Sequence, residues 1–272
     1  MTVRSRRPRA RGMRVLVGVG ATAVAVGMVA ACGASAEDDS EPEQRSFALP
    51  GRTLTVDSKD SALELVVSDD AKAADVRVTR WFDGRTVIGE SPEVKWKMDG
   101  DRLTFRTECS GVISNCSAKH RVVVPRGVAV TVLNNDGKVT ATGFREPLKV
   151  RTSDGSVTVR DARGPLDLRS VDGSVRAEGV TSKRISAASK DGSVQLRLAA
   201  APDRLQARSQ DGSVTVALPV AKGGGGGGAA SYRVDTEAVD GGADVSVPRD
   251  TRSPHHVSVR SVDGNVTVRS AN

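Results

Sequence analysis

The chain has 272 residues, a formal net charge of +7 and an aromatic content of only 3%. The first 31 residues carry six arginines and no acidic residue, so the rest of the chain is close to neutral, near +1. The basic charge is therefore no indication of nucleic-acid binding, and the scarcity of aromatic rings excludes extended stacking platforms for bases or sugars.

Residues 1–31 have the pattern of an export signal, in which a basic start is followed by the apolar run Val15–Ala31. A membrane-spanning helix is disfavoured because this run has 17 residues, many of them Gly or Ala. The run ends in Val-Ala-Ala-Cys32-Gly, which resembles the lipobox of bacterial lipoproteins. That resemblance implies cleavage before Cys32, acylation of its thiol and new amino group, and a lipid anchor in the cell membrane of a bacterium, on the extracytoplasmic face. The alternative is an ordinary secretory signal with an incidental cysteine.

Residues 32–46 are rich in small and acidic side chains, a composition typical of a disordered tether. We expect the folded domain to occupy residues 47–272. Its first segment, Leu54–Leu65, carries Asp60 in a pattern of alternating apolar residues that returns later in the chain. We interpret this segment as a degenerate first repeat, because terminal repeats are often atypical caps.

The region from about residue 72 to 120 has a different pattern. Apolar residues alternate with polar ones in short runs that are separated by Asp83-Gly84 and Asp99-Gly100, which predicts antiparallel hairpins. Both tryptophans and two of the four phenylalanines lie here. We therefore predict a hairpin insertion with a local core, either inserted in the repeat array or covering one end of it.

Cys109 and Cys116 enclose six residues within this region. A disulfide is the expected state of such a pair outside the cytoplasm. A metal site is the alternative, with His120 nearby, but a closed structural zinc site requires four ligands and this segment offers three. We therefore predict the disulfide and no metal.

An Asp-Gly pair recurs through the rest of the chain at spacings of about 18 to 29 residues, which is the mark of a repeat array. Each pair lies between two short β-branched runs with period-2 alternation, as expected for strands that each bury one face. Gly readily takes positive φ and Asp can bond its own backbone, so the pair predicts a corner. The corner aspartates are Asp136, Asp154, Asp172, Asp191, Asp211, Asp240 and Asp263.

Equivalent residues at every repeat suit identical stacked environments, so we predict an all-β fold, a parallel β-solenoid of about eight coils. The alternation alone is also compatible with an antiparallel meander of hairpins. The long gap before Asp240 contains six consecutive glycines, and we expect a Gly-rich loop over residues 221–230.

Two rows of charged residues are the candidate sites. The stacked corner aspartates could bind calcium, although solvated corner carboxylates explain the same pattern and are favoured. The second row lies three residues before the corner and could meet anionic polymers or lipid headgroups, or simply keep the sheet soluble. Its members are Arg151, Arg169, Arg208 and Arg260.

Signals of catalysis are poor. The chain has three histidines, and the pair His255-His256 precedes a strand and is interpreted as a solvated corner. No nucleophile elbow, phosphate-binding loop or zinc-binding helix motif is present. We therefore predict neither an enzyme nor a cofactor.

The lipobox, the hairpin region, the Cys-x6-Cys pair and the repeated Ser/Thr-x-Asp-Gly-Ser-Val-x-Val together resemble the bacterial DUF4097-type putative-adhesin family over roughly residues 47–272. The resemblance implies a β-solenoid in an exported or membrane-anchored setting, and it brings no catalytic residue.

We accordingly predict a lipid-anchored cell-surface protein with a non-catalytic binding, adhesion or envelope-structural role, and with an unknown protein or envelope polymer as its partner. One alternative is a polysaccharide-acting enzyme on a β-helix, which would need a deep groove with convergent carboxylates. The other is an accessory or sensor subunit of an envelope signalling system. The sequence does not predict an oligomeric state.

Overall fold

The computed structural model describes residues 36, 39–111, 114–220 and 230–271. The expected signal segment, Cys32, part of the expected tether and residues 221–229 of the Gly-rich loop lie outside the described residues. Every element longer than three residues in the described ranges is a β-strand. None of these residues belongs to a helix of sufficient length and apolarity to cross a membrane.

The first part of the chain, which includes the predicted hairpin region, forms antiparallel pairs, as predicted. β3 pairs with β1 and β6, and β4 pairs with β5. The strands of this part are β1 (Glu43–Ala48), β2 (Thr53–Val67), β3 (Asp75–Thr86), β4 (Glu93–Asp99), β5 (Arg102–Glu108) and β6 (Ser114–Val124).

The repeats form two strands each, one on either side of the Asp-Gly corner. Their strands are β7 (Ala129–Asp136), β8 (Val139–Thr142), β9 (Leu148–Thr152), β10 (Val157–Arg160), β11 (Leu166–Ser170), β12 (Val175–Val180), β13 (Arg184–Ser189), β14 (Val194–Leu198), β15 (Arg204–Ser209), β16 (Val214–Leu218), β17 (Arg233–Ala238), β18 (Ala243–Ser246), β19 (His256–Ser261) and β20 (Val266–Ser270).

The strands before and after the corners build two separate sheets. Sheet B contains the strands before the corners, in the spatial order β4-β5-β2-β7-β9-β11-β13-β15-β19-β17. Sheet A contains those after the corners, in the order β1-β3-β6-β2-β8-β10-β12-β14-β16-β20-β18. The long strand β2 belongs to both sheets, because its residues up to Asp60 pair with β7 and those from Ser61 onward pair with β6 and β8.

Successive repeats pair in parallel, so the parallel β-solenoid is confirmed and the antiparallel meander of repeats is wrong. Val157, for example, lies beside Val139 on one side and Val175 on the other. Alternate residues of each strand face inward and are buried. Equivalent inward side chains of neighbouring coils therefore stack on one another along the fold. Each fully buried valine or leucine contributes about 1.5–3 kcal/mol relative to an exposed one, and this contribution is summed over a continuous core.

At both ends, the spatial order of the coils differs from their order in the chain. β2 is the first coil in the sequence, yet it lies between the β5–β6 layer and the β7–β8 coil. Likewise, the last coil, β19–β20, lies between β15–β16 and β17–β18. The Asp60 segment is in register with the next coil, with Asp60 beside Asp136, as expected for a degenerate first repeat. It is not the terminal layer of the stack, because β5 and β6 cover it, as the hairpin region covers one end of the array.

The glycine of the corner is needed for a different reason from the one expected. Of the glycines in the seven predicted corners, Gly137 alone has a positive φ, 96°. At Gly155 a Cβ atom would lie 2.1 Å from the carbonyl oxygen of Gly137 in the neighbouring coil. Glycine is required at most corners because adjacent backbones approach too closely to admit a side chain.

Candidate binding surface on the outer face of sheet B

Sheet B has an outward face formed by the residues one, three, five and seven positions before each corner aspartate. Between these residues the buried ones alternate, as in β11 and β15. We call this surface the outer face of sheet B. A depression of about 810 Å³ on this face extends over β11, β13, β15, β19 and β17.

The four predicted arginines all lie on this face, but they do not form an unbroken row. Arg151 is the direct neighbour of Arg169 across β9 and β11. Ala188 separates Arg169 from Arg208, and Arg208 is the direct neighbour of Arg260. The row therefore consists of two adjacent pairs with a gap of one small residue between them.

Each carboxylate of this face that the structure describes has a basic side chain as its partner. Asp57 pairs with Arg102 and Arg106. Asp235 lies 2.6 Å from Nε2 of His256, and Glu237 lies 3.3 Å from Arg260. The charged side chains of this face therefore restrain one another, and each described carboxylate of the face has a partner.

Asp167 is the carboxylate nearest to the arginine row. Its Oδ2 accepts a hydrogen bond of 2.5 Å from Arg151, and its Oδ1 lies 3.3 Å from Arg169. Burial raises the pKa of Asp167, but Arg151, Arg169 and Lys149 outweigh this effect, so its pKa lies below the ordinary value. Asp167 is thus held ionised between two arginines.

The corner aspartates are exposed and form a row along the edge between the sheets. Their spatial order is Asp136, Asp154, Asp172, Asp191, Asp211, Asp263 and Asp240. Hydrogen bonds with Asp154 and Asp191 raise the pKa of Asp172, and hydrogen bonds with Asp172 and Asp211 lower the pKa of Asp191. Within the described ranges, no group of three or more Asp, Glu, His or Cys side chains is arranged to hold a metal ion.

The inner side of the same corners contains a hydrogen-bond ladder that the sequence did not predict. The hydroxyl of Ser189 donates to the carbonyl of Gly173 in the preceding coil, at 2.8 Å, and accepts from the backbone N–H of Gly192, at 3.0 Å. Ser170 and Ser209 make equivalent pairs of bonds. The Ser or Thr that stands two residues before five of the seven corner aspartates was the available signal, since a buried hydroxyl requires partners.

Of the remaining predicted features, His256 borders this face beside Asp235. Cys109 and Cys116 form a disulfide that joins the end of β5 to the start of β6. His120 is completely buried between the sheets of the N-terminal part. His255 and His256 are half-buried, and Nδ1 of His255 lies 2.9 Å from the carbonyl oxygen of Pro202, so they are not simply a solvated corner.

Comparison with protein families identifies one match, to the family described as Toastrack DUF4097, over residues 34–269. No curated protein matches the chain.

Three solved structures are similar over most of the chain. A "putative adhesin" from Parabacteroides merdae is 10% identical, with 86% of this chain and 97% of that chain covered and a TM-score of 0.42. A "putative adhesin" from Bacteroides fragilis is 12% identical, with 85% and 98% covered and a TM-score of 0.35. A "putative cell adhesion protein" from Clostridium sporogenes is 10% identical, with 85% and 100% covered and a TM-score of 0.33.

Proposed function

The chain belongs to the Toastrack DUF4097 family, and on this premise we propose that it is a non-catalytic binding or adhesion protein, anchored by lipid at Cys32 to the extracytoplasmic face of a bacterial membrane. Its binding surface is the outer face of sheet B.

The pairing of the carboxylates on this face is the observation that carries the non-catalytic assignment. Hydrolysis of a polysaccharide by acid–base chemistry uses two carboxyl groups, one of which has a raised pKa so that it can donate a proton. Asp167 has a lowered pKa instead, Asp57 and Glu237 each pair with arginine, and Asp235 contacts the imidazole of His256. The face is therefore better suited to binding than to proton transfer.

The start of the folded domain supports a position close to the membrane. Asp39 already contacts the domain, because its Oδ2 accepts a hydrogen bond of 3.0 Å from the N–H of Phe82. Six residues lie between Cys32 and Asp39, and the seven residue steps span at most about 25 Å when fully extended. A lipid on Cys32 would keep the solenoid near the bilayer. The outer face of sheet B would then be exposed to the surroundings of the cell.

The anchor is tested by metabolic labelling with palmitate and by fractionation of bacteria that express the full chain or its Cys32→Ser variant. We expect the natural chain to incorporate label and to sediment with membranes, and the variant to do neither. Attachment of the expressing cells to a surface should fall when the domain is present but unanchored. Membrane association that persists without label in the variant would contradict the lipid anchor.

A further inference from the structure

The outward side chains of β13 and β15 carry a net positive charge, because neither strand presents an outward carboxylate. The two strands and the residues that follow them present Arg184, Ser186, Ala188 and Lys190, and then Arg204, Gln206, Arg208 and Gln210. Four of these eight side chains are cations and none is a carboxylate. Lys190 has a partner in the corner residue Asp191, at 3.4 Å.

A notch lies in the middle of this basic surface. Ala188 is the direct sheet neighbour of both Arg169 and Arg208. Two strand spacings therefore separate the two arginine backbones, roughly 10 Å. A depression of about 220 Å³ lies between the two arginines and is lined also by Ser186, Ala188 and Gln206.

Arg208 has no acidic partner in the described part of the chain, and its nearest neighbour in register on the other side is Arg260. Like charges directly opposite each other destabilise a sheet. In the order of the sequence, Glu237 would have been the neighbour of Arg208. The exchange of the last two coils instead moves Glu237 to the end of the stack, where it lies 3.3 Å from Arg260.

We propose that this surface binds a linear polyanion that carries phosphate or carboxylate groups, with one anionic group held in the notch between Arg169 and Arg208. This inference deepens the proposed function and rests on it. Guanidinium groups bind both phosphate and carboxylate in a planar, bidentate geometry, and the notch leaves room for such a group. Arg260 and Lys190 extend the basic surface for neighbouring groups of the polymer.

The shape of the surface and its composition select the class of ligand. A bilayer surface is broad, whereas the arginines line a concave depression that a single polymer chain can enter. No aromatic residue is among the outward side chains of β13 and β15. Recognition therefore depends on charge rather than on stacking against sugar rings or bases.

Binding is measured with the full chain in micelles of a neutral detergent, by calorimetry at low ionic strength. The probes are polygalacturonate, which carries carboxylates, inorganic polyphosphate, neutral dextran, single-stranded DNA and vesicles of phosphatidylglycerol. We expect at least one of the first two to bind, with affinity that falls as salt is added, and no binding of dextran. The polymer that binds more tightly identifies the anionic group.

Two variants test the notch and one serves as the matched control. We expect Arg208→Ala and Ala188→Glu each to weaken binding by about tenfold or more, the latter because its carboxylate occupies the notch. Arg197→Ala removes an exposed arginine of β14 on sheet A, the opposite side of the solenoid, and should leave the affinity within about twofold. The melting temperature should be unchanged or higher in Ala188→Glu, because the new carboxylate lies between two arginines.

Equal weakening by Arg197→Ala would overturn the proposal, as would equal or tighter binding of the vesicles, or no binding of either polyanion. Binding of the single-stranded DNA, which is itself a linear phosphate polyanion, would support recognition by charge alone. These outcomes are distinct from a failure of the proposed function. The lipid anchor is measured in cells by label and fractionation, whereas the notch is measured on purified protein.

Discussion

His120 stacks against Phe105 with the ring centroids 3.9 Å apart and an angle of 18° between the planes. The imidazole comes from β6 in sheet A and the phenyl ring from β5 in sheet B, so the contact closes the core of the outermost N-terminal layer. His120 is completely buried, and neither of its ring nitrogens has a hydrogen-bond partner among the described residues. Burial, together with the charge of Arg80, lowers the pKa of His120 to about 3.

The first prediction is that His120 makes the protein less stable in acid. Because its pKa is lower in the folded state than in the unfolded state, the unfolded chain takes up the proton first as the pH falls below 6.5. This group alone should lower the free energy of unfolding by about 3 kcal/mol as the pH falls from 6.5 to 4. Denaturant titrations of His120→Leu should show a correspondingly weaker pH dependence. The surface variant His256→Gln is the control, and an unchanged slope in His120→Leu would refute the prediction.

The second prediction concerns the close approach of the backbones at the corners. A Cβ atom on residue 192 would lie 2.5 Å from the carbonyl oxygen of Gly173 and 2.8 Å from the backbone nitrogen of Ser174. Backbone atoms cannot move aside without breaking the ladder, so we expect Gly192→Ala to destabilise the protein by about 3 kcal/mol. Thermal unfolding measures the effect. Gly51→Ala, at a site with no atom within 4 Å of the added carbon, should be close to neutral. Similar stability of the two variants would show that the corners can relax.

The third prediction concerns the hydroxyl ladder. Ser189→Ala would remove the hydrogen bonds that the buried hydroxyl makes with the carbonyl of Gly173 and the N–H of Gly192. We expect a loss of about 2 kcal/mol. Ser189→Thr should retain most of the stability, because Thr152 in another coil also accepts from the corner glycine N–H and donates to a backbone carbonyl, that of Asn135. Ser186→Ala, on the outward side of the same strand, controls for the loss of a hydroxyl, and an equal effect there would refute the role of the ladder.

The fourth prediction is that the disulfide stabilises the N-terminal layer locally. Replacing both Cys109 and Cys116 by Ser should destabilise this layer by about 2 kcal/mol, because the closed loop is short. In a solenoid each coil contacts only its neighbours, so amide hydrogen exchange should quicken in β5 and β6 and stay unchanged in β13 and β15. Faster exchange throughout the array would contradict this local effect.

The fifth prediction concerns the repulsion between the corner aspartates. Asp172→Asn removes one charge from a row in which Asp154 and Asp191 are the adjacent carboxylates. We expect its melting temperature to exceed that of the natural chain at low ionic strength, with the difference shrinking as salt is added. Asp203→Asn removes a carboxylate that lies 3.7 Å from Lys183 and should give no increase. A lower melting temperature for Asp172→Asn would indicate that the row is stabilising.

Much of the fold could be predicted from residues that repeat. The alternation around each Asp-Gly pair identified the buried valines and leucines, because a strand with one buried face has a period of two. The parallel pairing followed less directly, since a hairpin meander gives the same alternation. The hydroxyl ladder was not predicted, although Ser170, Ser189 and Ser209 recur at one position, because their partners are backbone atoms of the next coil.

For the candidate surface too, one part of the arrangement could be predicted from the sequence and another could not. That Arg151, Arg169, Arg208 and Arg260 share one face was evident from their common distance to the corner. That Arg208 faces Arg260 rather than Glu237 was decided by the exchange of the last two coils, which the sequence does not reveal. The inward residues of the two strands differ at two positions, because β19 has Val259 and Ser261 where β17 has Thr236 and Ala238. The hydroxyl of Ser261 donates to the carbonyl of Gly212 at 2.8 Å, a bond that the methyl group of Ala238 could not make. Contacts between coils thus favour β19 beside β15, and that order decides the charge of the surface.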